Sequence, residues 1–227
     1  MERKTAWEKY SQEEKQNVFD FAEGYRKFLS KGKTERECVK LAVEDAKAHG
    51  YVDIEEILRD GRKINPGDKI YGVCMNKMLA MFHIGQEPLE KGMNILGAHI
   101  DSPRIDLKQN PIYEDTKLAM LDTHYYGGVK KYQWVALPLA LHGVVAKKDG
   151  TVTEIHIGEE ASDPVLGISD LLIHLSGDQM QKKASVVVEG EDLNVLVGSI
   201  PLKDEEKEPV KKQILSLLKE KYGMEED

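Results

Sequence analysis

The sequence feature that most constrains the fold is a short apolar run, Ile95–Ala98, which leads directly into His99-Ile100-Asp101 and is ended by Ser102-Pro103. An apolar run bounded by a turn predicts a buried strand, central in a parallel sheet. His99 and Asp101 then lie on one face at its carboxyl end, where ligands bind in open α/β sheets. A histidine in this pattern can bind a metal ion while the aspartate holds its ring in place.

The pattern His-x-Asp has two readings when it is taken alone. The tripeptide arises easily by chance in a chain with seven histidines and sixteen aspartates, so the pair can be purely structural. The strand predicted before it and the proline after it favour a metal-binding or catalytic pair. The residues by themselves leave both readings open.

Composition excludes several classes of protein. A chain of 227 residues can bury a substantial core in one large domain or two small ones. Its net charge of −8 argues against nucleic acid or an anionic membrane surface as the partner. No apolar stretch approaches the roughly 20 residues that span a bilayer, and the amino terminus lacks the apolar segment of a signal peptide. The two cysteines, Cys38 and Cys74, are expected to be reduced thiols, so we predict a cytoplasmic protein.

The first part of the chain, residues 1–102, is predicted to be helical before it becomes stranded. An amphipathic helix is expected over residues 6–30, and a second helix begins at a capping box formed by Thr34 and Glu37. Residues 70–75 and 78–84 read as a β-hairpin. Its methionines are expected to pack in the core.

The second part, residues 103–227, is rich in hairpins and is predicted to be a separate, mainly β domain. Strands are expected at 105–107, 118–126, 151–157 and 191–197, with a break at Asn110-Pro111 and a tight turn at 148–150. Residues 135–145 are apolar but contain Pro138, which predicts an edge or bulged strand. An amphipathic helix is predicted at 209–222. The predicted fold class is therefore α/β followed by a β-rich domain.

The motifs of other enzyme classes are missing from the sequence. It contains no G-x-S-x-G elbow, no Walker loop, no G-x-G-x-x-G phosphate cradle and no cluster of cysteines and histidines for structural zinc. The class that remains is a hydrolytic metal site with His99 as one ligand. Zinc in such a site lowers the pKa of bound water to about 7 and polarises the scissile carbonyl.

The run from Gly97 to Asp106, G-A-H-I-D-S-P-R-I-D, resembles the first active-site motif of the aspartyl aminopeptidase and aminopeptidase I family of di-zinc exopeptidases. The similarity continues through 123–128, T-H-Y-Y-G-G, and reaches 172–175, L-I-H-L. It implies that His99 is a zinc ligand and that Asp101 is the catalytic aspartate that orients the site. It also implies that His174 reaches a neighbouring subunit's active site and holds the substrate or its tetrahedral intermediate.

The resemblance implies a fold and an assembly as well. Residues 1–102 would be the amino-terminal part of a metallopeptidase α/β domain, and 103–227 a β-rich, incomplete dimerisation domain. The family forms homo-oligomers, typically dimer-based dodecamers, and cleaves the first peptide bond of a peptide substrate with two zinc ions.

The remaining family ligands have no counterpart in this sequence, which lacks the bridging aspartate, the Glu-Glu pair and the final histidine. Glu159-Glu160 is read as a solvated turn, and His124 as structural. For His174, a partly buried structural role is the alternative that the residues alone favour. Two hypotheses follow, an aminopeptidase chain lacking most metal ligands and an inactive fragment that acts only as an oligomerisation or interaction module.

Overall fold

The computed structural model describes residues 3–225. The chain divides into two compact units, one up to Ser102 and one from Pro103 onward. The structure contains helices as well as several sheets, so the predicted α/β class is confirmed. Among the described residues, no helix combines the length and the apolar character needed to cross a lipid bilayer.

From residue 3 onward, the first unit contains three α-helices and one three-stranded sheet. The helices are α1 (Gln12–Lys31), α2 (Glu35–Ala48) and α3 (Ile54–Arg59), and the strands are β1 (Val52–Asp53), β2 (Lys69–Cys74) and β3 (Met78–His83). Strand β1 pairs in parallel with β2, and β2 pairs with β3 as the predicted hairpin. The predicted capping box starts α2, since the Glu37 N–H donates to Thr34 Oγ1 at 3.3 Å and the Thr34 N–H donates to Glu37 Oε2 at 2.9 Å. Helix α1 starts later than predicted because Ser11 forms its own capping box there.

The prediction of a buried strand at Ile95–Ala98 is wrong. Residues 92–103 have no regular structure, and the side chains of Ile95 and Leu96 are 79% and 101% exposed. A central parallel strand needs a hydrogen-bonded neighbour on each side. The three strands described in this unit pair only with one another, so the apolar run has no such neighbours.

The methionines of the hairpin are also placed differently from the prediction. Met75, Met78 and Met81 are 84%, 59% and 43% exposed, so they do not pack in a core. Strand β3 is an edge of its sheet. Its outer apolar side chains therefore lie on the surface of this unit.

As far as residue 225, the second unit contains two antiparallel sheets and one α-helix. The strands are β4 (Arg104–Asp115), β5 (Leu118–Tyr126), β6 (Pro138–Leu139), β7 (Leu141–Ala146), β8 (Val152–Ile157), β9 (Leu166–Gly167) and β10 (Val195–Gly198), and the helix is α4 (Pro209–Tyr222). The larger sheet has the order β4-β5-β10-β9-β6, and β7 pairs with β8. Pro138 lies on the edge strand β6, as predicted. The predicted break at Asn110-Pro111 is instead a bulge within β4, where Asn110 takes a φ of 52°.

Buried apolar side chains of the larger sheet, of the loops beside it and of α4 form the core of the second unit. They are Ala119, Leu121, Leu166, Ile168, Val188, Leu193, Val195, Val197 and Val210. A polar network crosses this core at Thr123, which is fully buried. The Thr123 hydroxyl donates to the Leu193 carbonyl at 2.6 Å, its N–H donates to Asn194 Oδ1 at 3.0 Å, and Asn194 Nδ2 donates to the Tyr113 hydroxyl at 2.9 Å.

Helix α4 is held at both ends by carboxylates from elsewhere in the unit. At its start, Glu114 of β4 accepts the N–H groups of Val210 and Lys211 at 2.9 and 3.0 Å, where a helix presents unpaired donors. Near its end, Lys221 donates to Asp163 Oδ1 at 3.0 Å. These contacts fix the helix against the sheet.

The turn after β5 requires glycine at one position. Gly127 has a φ of 77°, in the left-handed region, and a Cβ there would lie 3.5 to 3.6 Å from atoms of Pro103. Replacing Gly127 with alanine is expected to cost about 1 kcal/mol of unfolding free energy, because a Cβ is strained in this conformation. Urea denaturation measures this difference.

Gly128→Ala is the matched control. Its backbone lies outside the left-handed region and an added Cβ has open space around it, so its free energy of unfolding should not fall. Equal losses in the two variants would contradict the assignment of strain to Gly127.

Asp163 should contribute to stability in a pH-dependent way. The pKa of its carboxyl is lowered by the hydrogen bond from Lys221 first, and then by those from the N–H groups of Gly158 and Glu160. A lowered pKa stabilises the fold fully above the ordinary aspartate value of about 3.9, and this contribution is lost as the pH falls through the folded-state pKa. Asp163→Asn should therefore lower the Tm at pH 7, and the two Tm values should converge in acid.

Thermal unfolding between pH 7 and pH 2 tests this. Asp178→Asn is the control, since that exposed side chain makes no capping hydrogen bond. A difference in Tm between wild type and Asp163→Asn that stays constant over the whole pH range would contradict the assignment.

Candidate active site

His99 and Asp101 form a hydrogen-bonded pair within the irregular segment that follows the first unit's sheet. The His99 Nδ1–H donates to the main-chain oxygen of Asp101 at 2.9 Å and to its carboxylate Oδ1 at 3.0 Å. Both partners are acceptors, so the proton of the neutral ring lies on Nδ1 and the lone pair lies on Nε2. The pair predicted from the sequence is brought together without the strand that was expected to align it.

This pairing is the arrangement in which a histidine is prepared to bind a metal ion. A metal-binding imidazole usually donates its second ring N–H to a carboxylate or carbonyl, which fixes the tautomer and the ring orientation. In His99 that donor is Nδ1, and Nε2 points away from Asp101. The His99 side chain is 83% exposed, so a metal ion could reach it. The described geometry provides one ligand.

Strand β4 begins at Arg104, three residues after Asp101, and pairs with the second motif stretch, in β5. Arg104 lies opposite Tyr126 in the register, and Asp106 lies opposite His124. Arg104 Nε donates to Asp106 Oδ1 at 2.7 Å, and its guanidinium carbon is 4.3 Å from the centre of the Tyr126 ring. The resembling stretches 103–106 and 123–128, distant in sequence, are therefore neighbours across one strand pair.

His174 lies in the second unit, in a short 3-10 helix, Ile173–Leu175. Its loop is closed at the base by Gln179 Nε2, which donates to Asp170 Oδ1 at 2.9 Å. Ser176 is buried, and its hydroxyl donates to the Ile173 carbonyl at 3.1 Å. His174 itself is exposed, so the structural reading of a partly buried histidine is wrong.

The apolar neighbours of His174 are exposed as well. Leu171, Leu172, Ile173 and Leu175 have exposed fractions of 54%, 71%, 67% and 71%. We call residues 171–175 the His174 segment. Contiguous exposed apolar side chains of this kind mark an interaction surface more often than an ordinary protein surface.

Sequence reasoning missed a second cluster of titratable side chains. His142 and His156, which no sequence pattern singles out, face each other across β7 and β8. Glu159, from the turn that was read as solvated, accepts a hydrogen bond from His142 Nε2 at 3.0 Å. Register could have revealed the pair, because counting outward from the turn at 148–150 places position 142 opposite position 156.

Comparison with known proteins identifies the family. The family model described as aminopeptidase I zinc metalloprotease (M18) matches residues 28–227. A probable M18 family aminopeptidase 1 of Clostridium acetobutylicum is 57% identical over 227 residues, which cover 100% of this chain and 49% of the relative.

Solved structures agree with this result. The crystal structure of an M18 family aminopeptidase from Thermotoga maritima matches with a TM-score of 0.90 and 43% identity, covering 100% of this chain and 48% of that one. Aminopeptidase I from Clostridium acetobutylicum matches with a TM-score of 0.86 and 55% identity, over 100% of this chain and 50% of that one. The mApe1 dodecamer of Saccharomyces shares the fold, with a TM-score of 0.63 at 22% identity, over 92% and 46% of the two chains.

The chain spans about half the length of the relatives that it matches. The match includes the paired His99 and Asp101, the β4–β5 strand pair and the His174 segment. On the family match and on the identity with its relatives, this chain belongs to the M18 family of aminopeptidase I zinc metalloproteases.

Proposed function

We propose that this chain carries part of the active site of a cytoplasmic zinc aminopeptidase, which releases the amino-terminal residue of unblocked peptides by two-metal activation of water. The observation that carries the proposal is the pairing of His99 Nδ1 with Asp101, which directs Nε2 outward as a ligand. Family membership supports the metal and the class of reaction.

His99 fits zinc by the chemistry of its donor set. An imidazole nitrogen is a common zinc ligand, and the carboxylate behind His99 increases the basicity of the ring. Zinc bound at such a site would lower the pKa of a bound water and polarise the scissile carbonyl. A two-metal site needs further ligands and a general base. We propose that these come from the half of the relatives' length that this chain does not span.

Asp101 acts in this proposal by positioning His99. Its carboxylate fixes the Nδ1–H tautomer, so Nε2 keeps its lone pair for the metal ion. Asp101 is also bonded through its main-chain oxygen, which restrains the ring from a second direction. The two contacts hold the ligand in one orientation before any metal ion is bound.

His174 is proposed to act in the active site of a neighbouring subunit. The His174 segment is anchored at its base and presents apolar side chains to solvent, as expected of a surface that is covered in an oligomer. In such an assembly, which we propose to be a dimer-based dodecamer, His174 would hold the peptide substrate or stabilise negative charge on its reacting carbonyl.

A second candidate is an interaction module without catalysis. The exposed His174 segment favours it, because the same surface would mediate association whether or not a metal site is completed nearby. The two candidates differ in whether His99 matters once the full length of the family is present.

His99→Ala should abolish zinc-dependent cleavage of unblocked peptides when this chain is fused to the remaining half of the Clostridium acetobutylicum relative. The substitution removes the ligand atom itself. Asp101→Asn keeps the shape but weakens the support of the ring, and should lower zinc affinity or activity about 10-fold to 100-fold. Release of the first residue and zinc content by mass spectrometry are measured together.

His124→Ala is the matched control and should retain both zinc and activity, since His124 is an exposed histidine on β5. Full activity in the His99→Ala fusion would refute the ligand assignment. An inactive unsubstituted fusion that still forms oligomers would favour the interaction module.

Mixing two inactive variants tests the role of His174. Fusion subunits carrying His99→Ala and subunits carrying His174→Ala should each have little activity as pure assemblies. After unfolding and reassembly together, activity should return in part, because some sites then combine an intact His99 with an intact His174 from the neighbour. No recovery in assemblies that have demonstrably mixed would contradict action across subunits.

A further inference from the structure

The β7–β8 hairpin carries a cluster of histidines and carboxylates outside the candidate active site. His142 lies opposite His156 in the register, and Glu154 lies two residues before His156 on the same face, because side chains alternate along a strand. On the opposite face, Ile155 is 5% exposed in the interior. The hairpin therefore has one apolar face and one face that gathers titratable side chains.

The two imidazole rings approach each other through the same atom. His142 Nδ1 and His156 Nδ1 are 3.3 Å apart, and the rings are nearly perpendicular, at 84°, with centres 5.1 Å apart. A neutral imidazole has one N–H and one lone pair. His142 Nε2 donates to Glu159 Oε1 at 3.0 Å, so its Nδ1 lone pair faces His156.

The second ring is supported in a similar way. His156 Nε2 lies 3.7 Å from Glu154 Oε2, beyond hydrogen-bond distance, and the nearby negative charge favours the proton on that nitrogen. The Nδ1 lone pairs of both rings then face one another. Two lone pairs at 3.3 Å repel unless a proton or a metal cation lies between them.

The distance between the two Nδ1 atoms fits a shared metal cation. Two nitrogen ligands at about 2.0–2.1 Å from a tetrahedral zinc ion are separated by about 3.3 Å. A single N–H···N hydrogen bond is the other contact that this separation allows. Each ring also has a carboxylate behind it, which is the usual support of a metal-binding histidine.

We propose that His142 and His156 bind one divalent transition-metal ion of the zinc class through their Nδ1 atoms. Glu159 and Glu154 act as positioning residues behind the rings. The hairpin provides two of the ligands. The His142 side chain is only 11% exposed, which limits its rotamers, and the His156 side chain is 45% exposed, which allows the ion to enter. This site is independent of His99 and of the proposed function.

Zinc binding to the 227-residue chain tests the proposal, measured by competition with a chromophoric chelator. All variants carry His99→Ala, so that the candidate active site does not contribute. The His99→Ala chain should bind one zinc ion. Adding His156→Gln should weaken binding at least tenfold, and adding Glu159→Gln should weaken it about tenfold. Adding His124→Gln should leave the affinity unchanged.

Two readouts separate metal binding from folding. Thermal unfolding in chelator should be similar for the His156→Gln and His124→Gln chains, which shows that the substitution spares the fold. Histidine ¹⁵N resonances of His142 Nδ1 and His156 Nδ1 should shift together on addition of zinc.

Zinc affinity in the His99→Ala, His156→Gln chain equal to that of His99→Ala alone would overturn the proposal. Resonances that zinc leaves unchanged would do the same and would assign the pair to a shared proton. Loss of aminopeptidase activity in the fusion, in contrast, depends on His99 and does not bear on this site.

Discussion

The pairing of β4 with β5 is the constraint on which the rest of the second unit depends. It places Thr123 where its hydroxyl and N–H cross the core to Leu193 and Asn194. It also joins the stretch after Asp101 to the stretch ending at Gly127, through Arg104 and Tyr126. The end of the first resembling stretch and most of the second therefore lie along one antiparallel strand pair, with the proposed metal ligand before its start.

The apolar run before His99 has the composition of a buried strand but does not form one. Ile95 and Leu96 have the side chains of a buried strand but are exposed, because the strands described in the first unit leave the run without a neighbour. Met78, on the edge strand β3, is a second apolar side chain that was predicted to be buried and is exposed. His99 and Asp101 still form a hydrogen-bonded pair without the predicted strand, because they are only two residues apart in sequence.

Features set by local contacts could be predicted from the sequence. The capping box at Thr34, the hairpin between β2 and β3, Pro138 on an edge strand and helix α4 depend on neighbours in sequence, and the structure has them all. The bulge at Asn110 and the facing of His142 and His156 depend on register between strands, which residue patterns specify only weakly. For the candidate site, the residue pattern predicted the His99–Asp101 pair. The roles of His99 as a zinc ligand and of Asp101 as the orienting aspartate came from the family resemblance.

The central claim is that His99 is a zinc ligand prepared by Asp101. Its most direct test is anomalous diffraction at the zinc edge from crystals of the fusion with the remaining half of the Clostridium relative. The account predicts a zinc ion about 2.0–2.1 Å from His99 Nε2, with Nδ1 still donating to Asp101. Zinc bound to Nδ1, or no zinc within reach of His99 in an active enzyme, would contradict it.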